Sequence, residues 1–145
     1  MTRILEVLVV EDEPDMIATY ERLLRRHGYR TIAAQTRLAG LAAIEIGPPD
    51  LLIADLALSD GDGLDVVRAA RALPRPPPVI VVSGFTSGAS RQAAMLAGAT
   101  AVLSKPFSTD AFTACARSSA TRGRDARTIP REGADHETRR FVRRR

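Results

Sequence analysis

An α/β fold built on a parallel sheet is predicted by three observations. Five apolar runs of strand length alternate with segments of helical periodicity, the runs are nearly continuous, and glycines and prolines punctuate the joins. The first run, Ile4 to Val10, reads as a strand covered on both faces. Pro14 suits the first turn of the helix that follows, and Glu11, Asp12 and Glu13 suit its positive end. Met16, Ile17, Tyr20, Leu23 and Leu24 recur at helical spacing until Gly28, a C′ stop. A second strand is expected from Arg30 to Ala34 and a second helix from Leu38 to Ile46, broken by Gly47-Pro48-Pro49. The third strand, Leu51 to Ala54, ends at Asp55, and Leu58 to Gly63 behind it reads as a mobile loop. A third helix from Gly63 to Leu73 and a stiff connector, Pro74 to Pro78, lead to the fourth strand, Val79 to Val82. A short helix over Ser90 to Ala97 is closed by Gly98. The fifth strand is Ala101 to Leu103, and a last helix begins near Ser108, buries Phe112 and Cys115, and fades beyond Ala116.

Composition narrows the class. A chain of 145 residues with 45% hydrophobic content is long enough for one domain with a real core. Its single cysteine, Cys115, forms no intramolecular disulfide and belongs to no zinc-type cluster, which points to a reducing cytoplasm. No basic-then-apolar leader and no run near the ~20 residues of a membrane span is visible, so a cytoplasmic location is expected. Charge is divided unevenly. Residues 1–116 hold 11 Lys+Arg against 13 Asp+Glu, whereas residues 117–145 hold 10 Arg against 4 acids. The organisation expected is a domain over residues 1–120 and a basic, weakly ordered tail over residues 121–145.

In a parallel α/β sheet, ligands bind beyond the carboxyl ends of the strands. The first strand delivers Glu11 and Asp12 to that edge, the third Asp55, the fourth Ser83 and the fifth Lys105. Three converging carboxylates repel one another unless a cation joins them. A hard divalent ion such as Mg²⁺ meets the need with Asp12 and Asp55 as direct ligands, Glu11 direct or through water, and the Ala57 carbonyl as a further oxygen. Lys105 offers a point charge and Ser83 a hydroxyl donor to a phosphoryl oxygen. A carboxylate nucleophile beside a metal and a lysine supports an aspartyl-phosphate, so Asp55 is the expected phosphoryl acceptor. Singly, each residue has an ordinary reading as a helix-end acid, a loop cap, a turn serine or a solvated lysine. Their joint placement carries the functional one.

From Ile4 to about Ala120 the chain resembles the receiver domain of bacterial two-component response regulators, of the single-domain type. The resemblance rests on Glu11-Asp12, Asp55, Asp62-Gly63-Leu64, Ser83-Gly84 and Lys105-Pro106-Phe107, in that order and at those strand ends. It implies a flavodoxin-like (βα)5 doubly wound sheet in the order 2-1-3-4-5, with a cis peptide before Pro106. It implies phosphorylation of Asp55 by a sensor histidine kinase or histidine phosphotransfer protein, with Mg²⁺ held by Glu11 and Asp12. Ser83 becomes the switch hydroxyl and Lys105 the partner of the phosphoryl group. The protein would be a stand-alone phosphorelay switch, not a metabolic enzyme, catalysing only its own phosphorylation and dephosphorylation.

The chain also departs from the family pattern. Ser59 stands where many receivers carry proline. Val102 occupies the aromatic switch position. Ala57 and Phe85, at the two positions that influence dephosphorylation, cannot orient an attacking water, so a long-lived phosphoryl group is expected.

Other classes fit less well. A phosphatase of the haloacid-dehalogenase kind needs a second Asp two residues after its nucleophile, and Pro14 stands two after Asp12. Glu11-Asp12-Glu13 replaces the glycine-rich cradle of a nucleotide-binding domain. The arginine tail, with Arg139-Arg140 and Arg143-Arg144-Arg145, suits an anionic partner such as nucleic acid. It is too short for a helix-turn-helix, so no sequence-specific DNA-binding domain is expected. His27 and His136 lack metal-like partners.

Overall fold

A computed structural model describes residues 3–84 and 87–128, with side chains as far as Gly123. In chain order the elements are β1 (Glu6–Val10), α1 (Pro14–Arg26), β2 (Arg30–Ala34), α2 (Arg37–Ile46), β3 (Leu51–Asp55), β4 (Ala57–Leu58) and β5 (Gly61–Asp62). They continue with α3 (Leu64–Arg71), β6 (Val79–Ser83), α4 (Gly88–Ala97), β7 (Ala101–Ser104) and α5 (Thr109–Thr128). Five strands form one parallel sheet in the order β2-β1-β3-β6-β7. With the two-residue strands β4 and β5 set aside, this is the expected order 2-1-3-4-5, a flavodoxin-like topology.

The continuous apolar runs are explained by burial on both faces. Val7, Val9, Leu51, Ile53, Ile80 and Val82 pack on one side with Tyr20, Leu23, Leu24, Phe112 and Ala116 of α1 and α5. Leu8, Val10, Leu52, Ala54, Val79 and Val81 face the other side with Ile44, Val66, Val67, Ala70 and Ala94 of α2, α3 and α4. Side chains alternate along each strand, yet both faces are covered, so no polar alternation shows in the sequence. Fully burying each Leu, Ile or Val contributes roughly 1.5–3 kcal/mol.

Parallel register then sets the site. Val10 pairs with Ala54, so Glu11 comes level with Asp55. Asp55 pairs with Val82, and Ser83 is one step beyond. Ser83 pairs with Ser104, which puts Lys105 past the edge, where its N–H donates to the Ser83 carbonyl at 2.9 Å.

Two expectations need correction. The stretch from Leu58 to Gly63 is a pinned structure, in which β4 and β5 form an antiparallel pair with Ala57 opposite Asp62. The final helix does not fade beyond Ala116. It runs to Thr128, because Ser119 and Ala120 are buried and a Cβ on Gly123 would meet the Pro78 ring. Small residues let that turn approach the sheet, a packing role that hydrophobic periodicity does not register. The remaining tail residues, including His136 and the terminal arginines, lie outside the described residues, as does Phe85. No helix among the described residues is long and apolar enough to cross a membrane.

Gly63 ties fold to site. A Cβ there would collide with the carbonyl oxygen of Asp55, whereas one on Gly47 would meet nothing within 4 Å. Gly63→Ala is expected to lower stability by about 1–3 kcal/mol through overpacking against backbone. Gly47→Ala should stay within about 0.5 kcal/mol of wild type. Paired urea denaturation curves check both.

Candidate functional site

The site is assembled at the carboxyl edge of the sheet by residues far apart in sequence. Glu11 is buried at 1% exposure and Asp55 at 7%, each one residue from a strand interior that fixes its direction. Lys105 reaches across from the end of β7. Its Nζ lies 3.0 Å from Asp55 Oδ2 and 3.3 and 3.5 Å from the two Glu11 oxygens. The other acceptor oxygen, Asp55 Oδ1, receives the Ala57 N–H at 3.1 Å. The two oxygens of one carboxylate are thus held by different groups from different elements.

Asp12 completes the acidic cluster. One carboxylate oxygen from each of Glu11, Asp12 and Asp55 lies within 4.8 Å of the other two. Ser83 is buried on the same edge and lines, with Ala57, Leu56, Asp62, Leu64, Ser90 and Ala93, a cleft of about 300 Å³. The structure therefore brings Glu11, Asp12, Asp55 and Lys105 together directly and puts Ser83 and Ala57 on the lining of one cleft. Ala57 enters the site through its N–H to Asp55, an interaction distinct from the carbonyl ligand expected of it. The Lys105–Pro106 peptide is cis.

Electrostatics explain why a cation suits this edge. Burial pushes the Glu11 carboxyl up to about 7, helped by its hydrogen bond to Asp55 and by the Asp55 charge, against the opposing pull of Lys105. For Lys105, burial opposes the charge, but the hydrogen bond and charge of Asp55, then those of Glu11, carry its pKa above the ordinary lysine value. One lysine is shared between two buried carboxylates with a third acid adjacent, so the cluster is short of positive charge. Its all-oxygen donor set fits a hard divalent cation such as Mg²⁺.

Sequence reasoning missed two contributors. Tyr20 is 1% exposed, and among the described residues its hydroxyl has no hydrogen-bond partner. Burial, then the negative charges of Glu11, Asp55 and Glu13, push its phenol above the usual tyrosine range. Helical side chains lean toward the helix N-terminus, so Tyr20 of α1 leans toward the acidic edge. Its ring stacks with Phe107 at 5.9 Å and packs against Phe112 at 5.3 Å, which buttresses the segment after Lys105. Helical spacing marks Tyr20 as core, and nothing in that pattern announces its proximity to the acids. The second contributor, Asp60, is on the hairpin and accepts hydrogen bonds from the first two N–H groups of α2.

Residues 7–117 match the family model described as response regulator receiver domain. The chain belongs to that receiver family. It is 38% identical over 116 residues to the transcriptional regulatory protein KdpE of Mycobacterium tuberculosis, covering 80% of this chain and 51% of that protein. Over 108 residues it is 34% identical to the photosynthetic apparatus regulatory protein RegA of Rhodovulum sulfidophilum, covering 74% and 59%. The chain thus spans about half the length of the curated relatives it matches. In fold it resembles the signal receiver domain of a putative Luxo repressor protein from Vibrio parahaemolyticus, with a TM-score of 0.83 at 24% identity, covering 88% of this chain and 98% of that one. It also resembles a CheY-like receiver domain from Methanospirillum hungatei, with a TM-score of 0.79 at 24% identity, covering 85% and 98%. Receiver domains are signalling phosphoacceptors of two-component systems, and phosphorylation and Mg²⁺ binding are properties of the family.

The raised Glu11 carboxyl has a pH signature. Between about 4.5, its value in an unfolded chain, and about 7, the folded protein binds a proton that the unfolded chain does not. Stability of the metal-free protein should therefore fall as pH rises through that window and level off above it. A Mg²⁺ ion held through Glu11 would have to displace the same proton, so its apparent affinity would drop by up to about tenfold per pH unit below 7. Thermal melts from pH 4.5 to 8, with and without Mg²⁺, read both effects, and Glu11→Gln should flatten both slopes.

Proposed function

We propose that the protein is a phosphorelay switch in which Asp55 accepts a phosphoryl group from a sensor histidine kinase or histidine phosphotransfer protein. The observation that carries this reading is the Asp55 carboxylate itself, bound at Oδ2 by Lys105 and at Oδ1 by the Ala57 N–H inside an acidic cluster. Glu11, Asp12, Asp55 and the Ala57 carbonyl would hold a Mg²⁺ ion, which when bound supplies positive charge to the phosphoryl oxygens. One oxygen of Asp55 attacks phosphorus, and the bond to the donor breaks with its electron pair leaving on the donor. Lys105 stabilises charge on the incoming group, and the Ser83 hydroxyl donates to a phosphoryl oxygen. Activity is confined to the protein's own phosphorylation and dephosphorylation, in the cytoplasm.

Incubation with a small acyl phosphate and Mg²⁺, followed by peptide mass spectrometry, tests the assignment. Label is expected on Asp55 and none on the Asp55→Asn variant. Labelling of Asp55→Asn at the wild-type level would refute the acceptor role. Loss of the label should be slow, because Ala57, on the exposed hairpin, offers no side-chain group to orient water. Ala57→Asn is expected to shorten the half-life severalfold in a chase without donor, and an unchanged or longer half-life counts against that account.

A second reading concerns output. The ten arginines against four acids in residues 117–145 favour an anionic partner, and the relative KdpE is named a transcriptional regulatory protein. In that reading the tail binds nucleic acid through phosphate contacts. Binding should then fall steeply with salt and weaken sharply on deletion of residues 129–145, which removes six of the ten arginines and leaves α5 intact.

A further inference from the structure

We propose that Asp60 is a positioning residue for the chemistry at Asp55, fixing the acceptor carboxylate through the β4–β5 hairpin. The inference rests on the assignment of Asp55 as the acceptor. A hairpin of two residues per strand is too short to hold its own shape. Asp60, at its turn, accepts from Arg37 N at 2.7 Å and from Leu38 N at 3.0 Å. These are the first two N–H groups of α2, and the third, on Ala39, is satisfied at 3.0 Å by the Thr36 hydroxyl. The helix end is therefore capped jointly, by its own Thr36 and by a carboxylate 22 residues or more away along the chain. Negative charge at a helix N-terminus is favoured, and the hydrogen bonds from the Arg37 and Leu38 N–H groups hold the Asp60 carboxyl below its ordinary range.

Arg37 strengthens the same joint from its side chain. Gly61 has φ +149°, and a Cβ there would come within 2.7 Å of Arg37 Nε, so the guanidinium stem lies directly against the turn. Its far end pairs with Asp65 on α3 at 3.6 Å. Downstream the hairpin is tied again, with Leu64 N donating to Asp62 Oδ1 at 2.9 Å and Gly63 N to the Leu56 carbonyl at 3.0 Å. At its free edge is Ala57, whose N–H holds Asp55 Oδ1. The chain of contacts is continuous from helix α2, packed on the sheet through Gly40 and Ile44, to one oxygen of the acceptor. Removing Asp60 leaves that oxygen dependent on a hairpin with one anchor fewer.

The test compares two caps of one helix end in the full chain. Asp60→Ala removes the joint, whereas Thr36→Ala uncaps α2 by a similar amount without touching the hairpin. Initial phosphorylation rates at saturating acyl phosphate and Mg²⁺ are expected to fall at least about fivefold in Asp60→Ala and to stay within about twofold in Thr36→Ala, at comparable melting temperatures. Asp60→Asn, which keeps one acceptor oxygen, should recover part of the rate. The Ala57 amide resonance in a ¹H–¹⁵N spectrum should shift in Asp60→Ala and not in Thr36→Ala. Equal rates in the two variants, or an Ala57 resonance unmoved by Asp60→Ala, would overturn the proposal. Should wild type itself take no label on Asp55, the acceptor assignment fails, and the Ala57 resonance still decides the positioning claim on its own.

Discussion

A carboxylate buried at 7% exposure, with its two oxygens bound from two directions, is the constraint on which the rest of the structure depends. Lys105 holds Oδ2 from the end of β7, and the Ala57 N–H holds Oδ1 from the hairpin. Removing an ionised carboxylate from water costs several kcal/mol unless charge and hydrogen bonds replace the lost hydration. Here one lysine serves Asp55 and Glu11 together, at sequence separations of 50 and 94 residues. No local segment can build that arrangement. It exists only when β1, β3 and β7 stand in their final order, so completion of the sheet and completion of the site are the same event.

The sheet can impose this geometry because its strands have no freedom to slip. A one-residue shift in a parallel strand would exchange its two faces. Both faces here are packed, one by α1 and α5 and the other by α2, α3 and α4. The faces differ in shape, with Tyr20 and Phe112 on one side and Ala70, Ala94 and the close approach of Gly40 to Val10 on the other. A slipped strand would present small residues to the aromatic side and large ones to the tight side. Register is thereby fixed by volume, and the functional residues inherit the position of the apolar residue beside them.

That dependence explains what the sequence reveals. Asp55, Glu11, Ser83 and Lys105 are legible because each is adjacent to an apolar run, and the edge to which they belong follows from the sheet class. The boundaries of β2 and α2 are legible for the same reason. Features set by contacts distant in sequence are not. The hairpin at Ala57 to Asp62 contains one glycine and three polar residues, which reads as a mobile loop until the helix end that tethers it is placed alongside. The length of α5 depends on Ser119, Ala120 and Gly123 being small enough to lie against β-sheet and Pro78. Small residues of that kind look like the start of a tail. Tyr20 shows the reverse difficulty: its helical spacing correctly marks it as core while hiding the acids above its ring.

Two mechanical connections leave the site, and they run to opposite faces of the sheet. One passes through the hairpin to the N-terminus of α2 and, by Arg37 and Asp65, to α3. The other passes through Lys105 to Phe107, two residues on, whose ring packs with Tyr20 of α1 and Phe112 of α5. Val102 offers no ring to rotate and packs instead against the opposite core with Val81 and Ala94. A displacement of Lys105 would therefore press first on the aromatic trio. Close-packed rings transmit displacement more readily than they absorb it. α1 and α5 are then the elements best placed to register the state of Lys105, while α2 and α3 register the state of the Ala57 bond. Each oxygen of Asp55 is thus tied to a different side of the sheet.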